Sequence, residues 1–419
     1  MTEIKPKKPI GVVDIPASKS QTIRALLIAA FARGESVIRH PLLSSDTISC
    51  MNAIRQLGAS LSLSEDGSVL QIDSRRFAEG TDEIEIDAGN SGTTEYLLMA
   101  MAASLDRPIR IIGDEQLTAR PVGPLEASLK DLGATIMTDN GKPPIYIKGP
   151  LKGGRTLIEC KTSQYLSALL LGTPMATGDS EIDCSLLFEK PYVNMTLDWL
   201  DKQGIEYEIT DDLMHARIKG NQRYSPIDQY IPGDFSSASF FFVMAAISNS
   251  RITVKGLDRN DQQGDKEILN VLEKMGCTII WEENAVTVIG PDKLKGGEFD
   301  LNSMPDTLPI LAIAGAFATE DVHLTNVSQA RIKETDRIAT MCSNLKLLGA
   351  NAEEEDDGIL IHGTGSLRGG YAKGYGDHRI IMALASAASA TKESVFIDDI
   401  KAASVTFPTF FEIYENIRR

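Results

Sequence analysis

Cysteine, positive charge and long apolar runs are all scarce in this 419-residue chain. Its five cysteines are scattered, odd in number and form no CxxC pair, which argues against a disulfide framework or a zinc site. They favour a reducing compartment, so we expect a cytoplasmic protein. The longest uncharged apolar runs span ten or eleven residues, whereas a membrane helix needs about 20. The N-terminal segment also lacks the apolar stretch of a secretory signal, so we expect neither a signal nor a membrane span.

Negative charge outweighs positive charge. The chain has 42 Lys and Arg against 58 Asp and Glu, a formal net charge of −16. Such a surface repels nucleic-acid phosphates, so we expect no nucleic-acid partner. Small anionic ligands are not excluded, because they need only a local basic pocket. The place where the basic residues gather therefore matters most.

One pattern recurs along the chain: an amphipathic LxxLG helix, a β-branched strand, a polar turn and a second strand. The five copies end their helices at glycines 71 to 75 residues apart, namely Gly58, Gly133, Gly204, Gly276 and Gly349. Glycine suits the left-handed position that ends a helix. A sixth such helix begins near Phe407 but has no hairpin after it. We therefore expect the segment before Pro16 to supply the missing strand.

Each repeat also has a helix rich in small residues, which we expect to be buried at the centre of a domain. These helices are Thr22–Ala32, Thr93–Ser104, Ser163–Leu171, Ser236–Ile247, Leu308–Phe317 and Asp377–Ala390. Six βαβ-type units of about 70 residues predict two compact α/β domains of three units each. If the N-terminal strand completes the last unit, one domain comprises residues 1–17 and 232–419, and the other comprises residues 18–231.

The small-residue helices begin with polar segments. These are PASKSQTIR from Pro16, GNSGTT from Gly89, KTSQY from Lys161, GDFSSAS from Gly233, MPDTLP from Met304 and GDHR from Gly376. Each alone is typical of ordinary helix capping. If related repeats orient equivalent helices alike, however, each domain directs three positive dipole ends toward one face. Six cations lie in or near these segments, which indicates phosphate or carboxylate ligands: Lys19, Arg24, Arg120, Lys333, Arg337 and Arg379.

Two carboxylates lie in the same polar segments or beside these cations. Asp306 lies at a helix start, and Glu334 lies within RIKETDR. Nearby cations lower the pKa of a carboxyl group and make it available as a base, while partial desolvation suits an acid. Taken alone, Asp306 would be a helix cap and Glu334 a surface ion pair. If the segment is helical, Lys333 and Arg337 share one face. No set of His, Asp and Glu has ligand spacing, so we expect no metal.

These segments, with ARPVG, KPYVNMT and a terminal TFP, resemble the enolpyruvyl transferase family from about Ile15 to Phe411. The resemblance implies a two-domain inside-out α/β barrel with three βαβαββ-type repeats per domain and an active site in the interdomain cleft. It also implies transfer of the enolpyruvyl group of phosphoenolpyruvate to the 5-hydroxyl of 3-phosphoshikimate. That reaction passes through a tetrahedral intermediate, releases phosphate and uses no cofactor. Because one chain forms the whole cleft, we expect a monomer.

The resemblance also implies residue roles. The 3-phosphoshikimate contacts would be Lys19, Ser20, Arg24, Thr162, Ser163, Gln164, Asp306, Gln329 and Lys333. The phosphoenolpyruvate contacts would be Lys19, Gly92, Arg120, Gln164, Arg337 and Arg379. Asp306 would take the proton of the 5-hydroxyl, Glu334 would protonate the methylene carbon, and Lys19 would neutralise the leaving phosphate. The room beside Gly92 would admit glyphosate as a competitive inhibitor.

Several positions depart from the family pattern. Glu95 and Tyr96 follow GNSGTT, where the family usually has an arginine, and Val405 precedes TFP, where it often has a lysine. Gln329 replaces an asparagine, and Glu189 replaces the serine before KPY. The loss of two cations leaves open a relative that binds anions without catalysis.

A second alternative is the sister enzyme that acts on UDP-N-acetylglucosamine. That enzyme carries a cysteine in a loop shortly before the Arg-Pro pair that corresponds to Arg120-Pro121. Here the stretch from Asp114 to Thr118 has no cysteine. The KETDR run also fits the shikimate branch better, so this branch is the favoured interpretation.

Overall fold

The repeats of the sequence become a series of small sheets, each with flanking helices. The computed structural model describes residues 1–417. Its strands are β1 (Thr2–Ile4), β2 (Gly11–Asp14), β3 (Glu35–Arg39), β4 (Ser60–Leu63), β5 (Val69–Asp73), β6 (Ile84–Asp87), β7 (Ile109–Ile112), β8 (Thr135–Asp139), β9 (Lys142–Lys148), β10 (Gly154–Cys160), β11 (Ser180–Leu187), β12 (Tyr207–Ile209), β13 (His215–Ile218), β14 (Asp228–Tyr230), β15 (Arg251–Lys255), β16 (Thr278–Trp281), β17 (Ala285–Ile289), β18 (Gly297–Asp300), β19 (Val322–Thr325), β20 (Asn351–Glu355), β21 (Gly358–His362), β22 (Gly370–Ala372) and β23 (Val395–Ile397).

The α-helices alternate with these strands. They are α1 (Lys19–Phe31), α2 (Ser45–Gln56), α3 (Gly92–Ala102), α4 (Glu115–Thr118), α5 (Gly123–Asp131), α6 (Ser163–Gly172), α7 (Lys190–Lys202), α8 (Phe235–Ile247), α9 (Ile268–Lys274), α10 (Leu308–Phe317), α11 (Arg337–Leu347), α12 (His378–Ala387) and α13 (Phe410–Asn416). Short 3-10 helices cover Thr173–Met175, Gly264–Glu267, Pro305–Thr307, Ser328–Ile332 and Lys401–Val405. Over residues 1–417, no helix combines the length and apolar character needed to cross a membrane.

The chain divides into two compact units. The first comprises Met1–Pro16 and Pro232–Arg419, and the second comprises Ala17–Ile231. Each unit has a hydrophobic core of its own. Below, they are called the first unit and the second unit.

The sheets share one plan, in which a parallel pair of strands is extended by antiparallel strands. In the second unit the strand orders are β14-β3-β5-β4, β6-β7-β9-β8 and β10-β11-β13-β12, and in the first unit they are β2-β15-β17-β16 and β18-β19-β21-β20. The remaining sheet has the order β1-β23-β22, with β22 parallel and β1 antiparallel to β23. The N-terminal segment therefore supplies the strand that the last repeat lacks, which confirms the prediction.

The small-residue helices form the centre of each unit, as predicted. All ten residues of α10 and all ten of α12 are buried, and α10 packs against both α8 and α12. In the second unit, α3 packs against α6. A helix that is apolar on every side must be enclosed by other elements. The polar first turns of these helices are therefore the parts that can reach a ligand.

The LxxLG helices end at left-handed glycines. The five glycines have φ between +65° and +104°, a conformation that costs a side-chain-bearing residue but not glycine. The sixth helix, α13, begins at Phe410 rather than near Phe407. The last two residues predicted for it, 418–419, lie outside the described residues.

Candidate active site

The first turn of α1 holds a lysine against a buried aspartate. Ser18 caps the helix, since its hydroxyl accepts a hydrogen bond from the Gln21 N–H at 3.5 Å. Lys19 Nζ lies 3.1 Å from Asp46 Oδ2, and the two side chains are 14% and 5% exposed. Asp46 itself lies in the first turn of α2, where a negative charge is favourable. Sequence analysis missed Asp46, whose only signal was its position after Ser44 at a helix start.

Arg24 lies one turn farther along α1 and is fully buried. Its Nε donates to Thr196 Oγ1 at 2.9 Å, Nη1 donates to the Ser20 carbonyl at 3.0 Å, and Nη2 donates to the Tyr192 carbonyl at 3.2 Å. These bonds join α1 to α7. They fix the guanidinium within the group that also contains Lys19 and Ser20.

An acid covers the N-terminus of α6. Thr162 caps this helix by accepting the Gln164 N–H at 3.4 Å. Glu189 Oε2 in turn accepts from the Ser163 N–H at 3.2 Å, from Ser163 Oγ at 2.9 Å and from Thr162 Oγ1 at 3.3 Å. Gln164 Oε1 is buried and has no hydrogen-bond partner among the described residues. The residue that departs from the family pattern thus contacts two of the predicted substrate contacts.

The N-terminus of α3 meets an arginine. Ser91 caps α3 by accepting the Thr94 N–H at 3.3 Å. Arg120 Nη2 donates to Asn90 Oδ1 at 3.3 Å, and a Cβ atom added to Gly92 would lie 2.4 Å from Arg120 Nη1. The guanidinium therefore lies against a residue without a side chain at a positive helix end. This combination suits an anionic ligand.

Glu95 and Tyr96 turn inward from the same helix. Glu95 is fully buried, and neither carboxyl oxygen has a hydrogen-bond partner within residues 1–417. Burial raises the pKa of the Glu95 carboxyl to about 8, although the positive charge of Arg120 acts in the opposite direction. The Tyr96 and Tyr165 hydroxyls both donate to the Pro121 carbonyl, at 3.3 and 2.6 Å. Tyr96 thus anchors the residue that follows Arg120.

A cluster of charged side chains surrounds Asp306 in the first unit. Arg337 Nη1 lies 2.8 Å from Asp306 Oδ1, and Arg379 Nη2 lies 2.9 Å from Asp306 Oδ2. Lys333 Nζ lies 4.0 Å from Asp306 Oδ1, and Glu334 accepts a hydrogen bond from Arg337 Nη2. Burial raises the pKa of the Asp306 carboxyl, but Arg379, Lys333 and Arg337 outweigh it and hold the pKa far below its ordinary value. The structure therefore assembles five of the predicted site residues.

Asp377 completes this cluster. Its side chain is fully buried and accepts from Arg337 Nε at 2.8 Å, from Thr335 Oγ1 at 3.0 Å and from the Arg379 N–H at 2.9 Å. Burial raises the pKa of the Asp377 carboxyl, and the positive charge of Arg337 outweighs it, so that the pKa is lowered. Sequence analysis noted the GDHR segment but did not assign Asp377 to the site. Its signal was its position two residues before Arg379.

His378 follows Asp377 and is buried in its neutral form. Burial lowers the pKa of its imidazole to about 3, against the charges of Glu334 and Asp377. Asp377, not His378, caps α12. His378 therefore adds no positive charge to the cluster near neutral pH.

The structure resolves two points about this cluster that the sequence left open. Lys333 and Arg337 do not share a helix face, because the 3-10 helix ends at Ile332 and α11 begins only at Arg337, after the cap Asp336. The Asp306 side chain does not cap α10, whose N-cap is Thr307. Asp336 begins α11 by accepting the Ala339 N–H at 3.0 Å. Lys333 lies in the extended segment between the 3-10 helix and α11, with its Nζ 4.0 Å from Asp306 Oδ1.

The predicted site residues are divided between the two units. Gln329 is buried and donates to the Asn302 carbonyl at 3.2 Å, and no hydrogen bond joins it to Asp306 in the part of the chain described. The first unit contains Asp306, Gln329, Lys333, Glu334, Arg337 and Arg379, and the second unit contains Lys19, Ser20, Arg24, Gly92, Arg120, Thr162, Ser163 and Gln164. Among residues 1–417, no three His, Cys, Asp or Glu side chains are grouped as metal ligands would be.

Comparison with known proteins places this arrangement in a family. Residues 4–414 match the family model for EPSP synthase (3-phosphoshikimate 1-carboxyvinyltransferase). The chain is 44% identical to a 3-phosphoshikimate 1-carboxyvinyltransferase of Acetivibrio thermocellus, over 98% of this chain and 96% of that protein. It is 35% identical to the protein of that name from Methanocaldococcus jannaschii, over 97% and 95%. An EPSP synthase structure from Acinetobacter baumannii has a TM-score of 0.82 at 27% identity and covers 99% of this chain and 98% of that one.

Proposed function

The chain belongs to the EPSP synthase family, the 3-phosphoshikimate 1-carboxyvinyltransferases, and we propose that it transfers the enolpyruvyl group of phosphoenolpyruvate to the 5-hydroxyl of 3-phosphoshikimate. The products are 5-enolpyruvylshikimate-3-phosphate and phosphate, in a step of the shikimate pathway toward aromatic amino acids. The observation that carries the proposal is the cluster in which Asp306 lies between Arg337 and Arg379. It combines a candidate base with cations that suit an anionic substrate.

In this proposal, residues of both units contact the two substrates. The residues proposed for 3-phosphoshikimate are Lys19, Ser20, Arg24, Thr162, Ser163, Gln164, Asp306, Gln329 and Lys333. The residues proposed for phosphoenolpyruvate are Lys19, Gly92, Arg120, Gln164, Arg337 and Arg379. Support comes from the cations and helix N-termini of these groups, since both favour phosphate and carboxylate oxygens. Both substrates carry such oxygens.

The first proposed step is an addition. The 5-hydroxyl oxygen attacks C2 of phosphoenolpyruvate and gives its proton to Asp306, while Glu334 donates a proton to the methylene carbon. The C2–C3 double bond becomes a single bond, and a tetrahedral intermediate forms. Glu334 contacts Arg337, so the proton donor and a proposed phosphoenolpyruvate ligand are held together. Fixed charges of this kind stabilise a transition state without reorganising.

The second proposed step is an elimination. Glu334 takes a proton back from the methyl carbon, the C2–C3 double bond re-forms and the C2–O bond to phosphate breaks. The departing phosphate gains negative charge on its bridging oxygen. Lys19, held 3.1 Å from Asp46, neutralises that charge and can donate a proton. Glu334 ends protonated, as it began. Asp306 then loses the proton of the 5-hydroxyl and Lys19 regains the one it donated, so that in net terms one proton passes from the hydroxyl to phosphate and no further reactant is needed.

The low pKa of Asp306 has a consequence for the order of events. A carboxylate stabilised by three cations is a weak base. Phosphoenolpyruvate bound to Arg337 and Arg379 would compete with Asp306 for the same donors. The pKa of Asp306 would then rise toward a value that suits proton abstraction. Substrate binding therefore activates the base in this mechanism.

Phosphate release from the purified protein tests the proposed function. Phosphoenolpyruvate and 3-phosphoshikimate are supplied together, and each alone serves as the control. Release that requires both substrates supports the transferase. If calorimetry detects 3-phosphoshikimate binding but no phosphate appears, the chain is a relative that binds anions without turnover.

Two further proposals concern the protein as a whole. We propose that it acts as a monomer, because each proposed residue comes from one chain, and that it resides in the cytoplasm, because its five cysteines are buried and unpaired by disulfides. Sedimentation of the protein tests the first proposal, and a stable dimer contradicts it. Cell fractionation tests the second.

A further inference from the structure

Glu189 is a buried acid that the proposed mechanism does not use. Its side chain is 2% exposed, and its backbone has a left-handed φ of +57°. A non-glycine residue rarely adopts this conformation, and such positions often serve a function. Glu189 precedes α7, yet its side chain does not cap that helix. It reaches instead to the start of α6.

The Glu189 carboxylate occupies the donors at the start of α6. One oxygen, Oε2, accepts from the Ser163 N–H, Ser163 Oγ and Thr162 Oγ1 at 3.2, 2.9 and 3.3 Å. A backbone N–H and two hydroxyls at a helix N-terminus form a set of donors that suits a phosphate, whose oxygens are strong acceptors. The chain itself therefore supplies an anion where an anionic ligand could bind.

The same donors belong to the proposed acceptor site. The proposed function assigns Thr162 and Ser163 to 3-phosphoshikimate, and the present inference rests on that assignment. A carboxylate and a phosphate cannot use these donors together, because their charges repel and each donor makes one strong hydrogen bond. A phosphorylated acceptor must therefore displace the Glu189 side chain, whereas an acceptor without phosphate need not.

We propose that Glu189 determines acceptor specificity by competing with the acceptor's phosphate for the α6 donors. Its carboxylate weakens 3-phosphoshikimate binding and narrows the preference for this acceptor over shikimate, which lacks the phosphate. Glu189 is a specificity residue here rather than a catalytic residue, because it acts through the donors of Thr162 and Ser163.

Calorimetric titration of two variants tests this role without relying on turnover. Glu189→Ser removes the anion, and Glu189→Gln keeps the shape but removes the charge. We expect Glu189→Ser to bind 3-phosphoshikimate about tenfold or more tightly than the parent, the scale of one or two charged hydrogen bonds. Glu189→Gln is expected to show a smaller gain, because its amide oxygen still accepts from these donors. Affinity for shikimate is expected to change less than threefold, within the scale of a single uncharged contact.

Glu206→Gln is the matched control. Glu206 lies in the same unit, is 68% exposed and pairs with Lys219, so its replacement changes the net charge equally at an exposed position outside the proposed site. Unchanged or weaker 3-phosphoshikimate binding in both Glu189 variants, or an equal gain in Glu206→Gln, would overturn the proposal. A gain without phosphate release would leave Glu189 as a specificity residue while the proposed transferase fails. Phosphate release without a gain in 3-phosphoshikimate affinity would support the transferase and overturn the proposed role of Glu189.

Discussion

The two units hold their charged groups in different ways. In the first unit, the cations Lys333, Arg337 and Arg379 contact carboxylates of their own chain, so Asp306, Glu334 and Asp377 balance the charge before any ligand binds. In the second unit, Lys19 contacts Asp46, whereas Glu189 lies on the N-terminus of α6 and accepts hydrogen bonds from its donors. In the proposed mechanism, the first arrangement provides charges for the chemical steps, and the second provides donors for substrate binding.

This difference has an energetic consequence. A buried network of ion pairs is costly to break, because removal of one member leaves a charge without its partner. A helix N-terminus covered by one acid is different, since removal of that acid frees donors that water or a ligand can use. Replacement of an acid is therefore expected to lower protein stability when the acid lies in the first unit. In the second unit, such a replacement is expected to leave stability or ligand affinity unchanged or to raise it.

Asp377→Asn probes the first unit at its most buried point. Asp377 and Arg337 are 0% and 1% exposed, so we expect a loss of about 3 to 5 kcal/mol of unfolding free energy. The pKa of Asp377 is lowered in the folded chain. Its contribution is therefore present above the ordinary aspartate pKa of about 3.9 and is lost as the pH falls below it. Urea unfolding between pH 3 and 7 measures both effects.

The control for Asp377→Asn is Glu298→Gln in the same unit, whose side chain is 74% exposed. We expect this control to change stability by less than about 0.5 kcal/mol. Equal stability of Asp377→Asn and the parent at pH 7 would mean that the ion pairs of this cluster do not stabilise the folded chain. The contrast between the two units would then be lost.

Asp306→Ala tests whether the prepared charges serve chemistry. We expect turnover to fall about a hundredfold or more, the usual effect of removing a general base. Binding of 3-phosphoshikimate is expected to weaken but to remain detectable, because the contacts proposed for it in the second unit are unchanged. Phosphate-release kinetics and calorimetry measure the two effects. Asp306→Asn, which keeps the size of the side chain, controls for local collapse, and near-normal turnover in either variant removes Asp306 from the mechanism.

Much of the fold could be predicted from the sequence, because local rules determine it. The left-handed glycines and apolar helices recur with each repeat, and the missing hairpin of the last repeat indicated the N-terminal strand. The start of α13 was wrong by three residues. Helix ends depend on a few local capping contacts, and periodicity defines them poorly.

The site was harder to predict, because its contacts join distant segments. Asp306 and Arg379 are 73 residues apart in sequence (379 − 306) and touch only through the packing of α10 and α12. In the sequence, Asp46 and Asp377 resemble ordinary acids at a helix start. Nothing local distinguishes such an acid from one that holds a catalytic cation. The cation-rich polar segments therefore indicate an anionic ligand, but the carboxylates that pair with these cations became visible only in the fold.

Glu95→Met tests whether replacement of a buried acid in the second unit raises the stability of the protein. The pKa of Glu95 is raised to about 8, so the folded chain favours the protonated form. The free-energy cost of ionising Glu95 in the folded chain is absent below the ordinary glutamate pKa and grows as the pH rises toward 8. We therefore expect Glu95→Met to be more stable than the parent by about 2 to 3 kcal/mol at pH 7. Urea unfolding from pH 5 to 8.5 is the measurement, with Glu206→Gln as the exposed control.

The pH profile distinguishes this cause from simple repacking. If the gain comes from the buried acid, the difference between Glu95→Met and the parent grows steadily from pH 5 to 8. A gain that does not change with pH would show better packing alone. A loss of stability at every pH would place Glu95 among the structural pairs, like Asp377, and would erase the difference between the units.

The smallest expected effect concerns Gly92, where the second unit brings an arginine against a bare helix end. The Cβ atom of Gly92→Ala would lie 2.4 Å from Arg120 Nη1, and the guanidinium can move away because it ends a flexible side chain. We expect the KM for phosphoenolpyruvate to rise about tenfold, the scale of one charge-assisted contact, and glyphosate inhibition to weaken. The KM for 3-phosphoshikimate is expected to stay within about threefold of the parent value. Gly123→Ala is the matched control, since the nearest atom to its Cβ is 3.8 Å away. Because helical alanine does not strain the backbone at Gly92, a large loss of stability would contradict this account: the site would then be braced like the Asp306 cluster rather than open for binding.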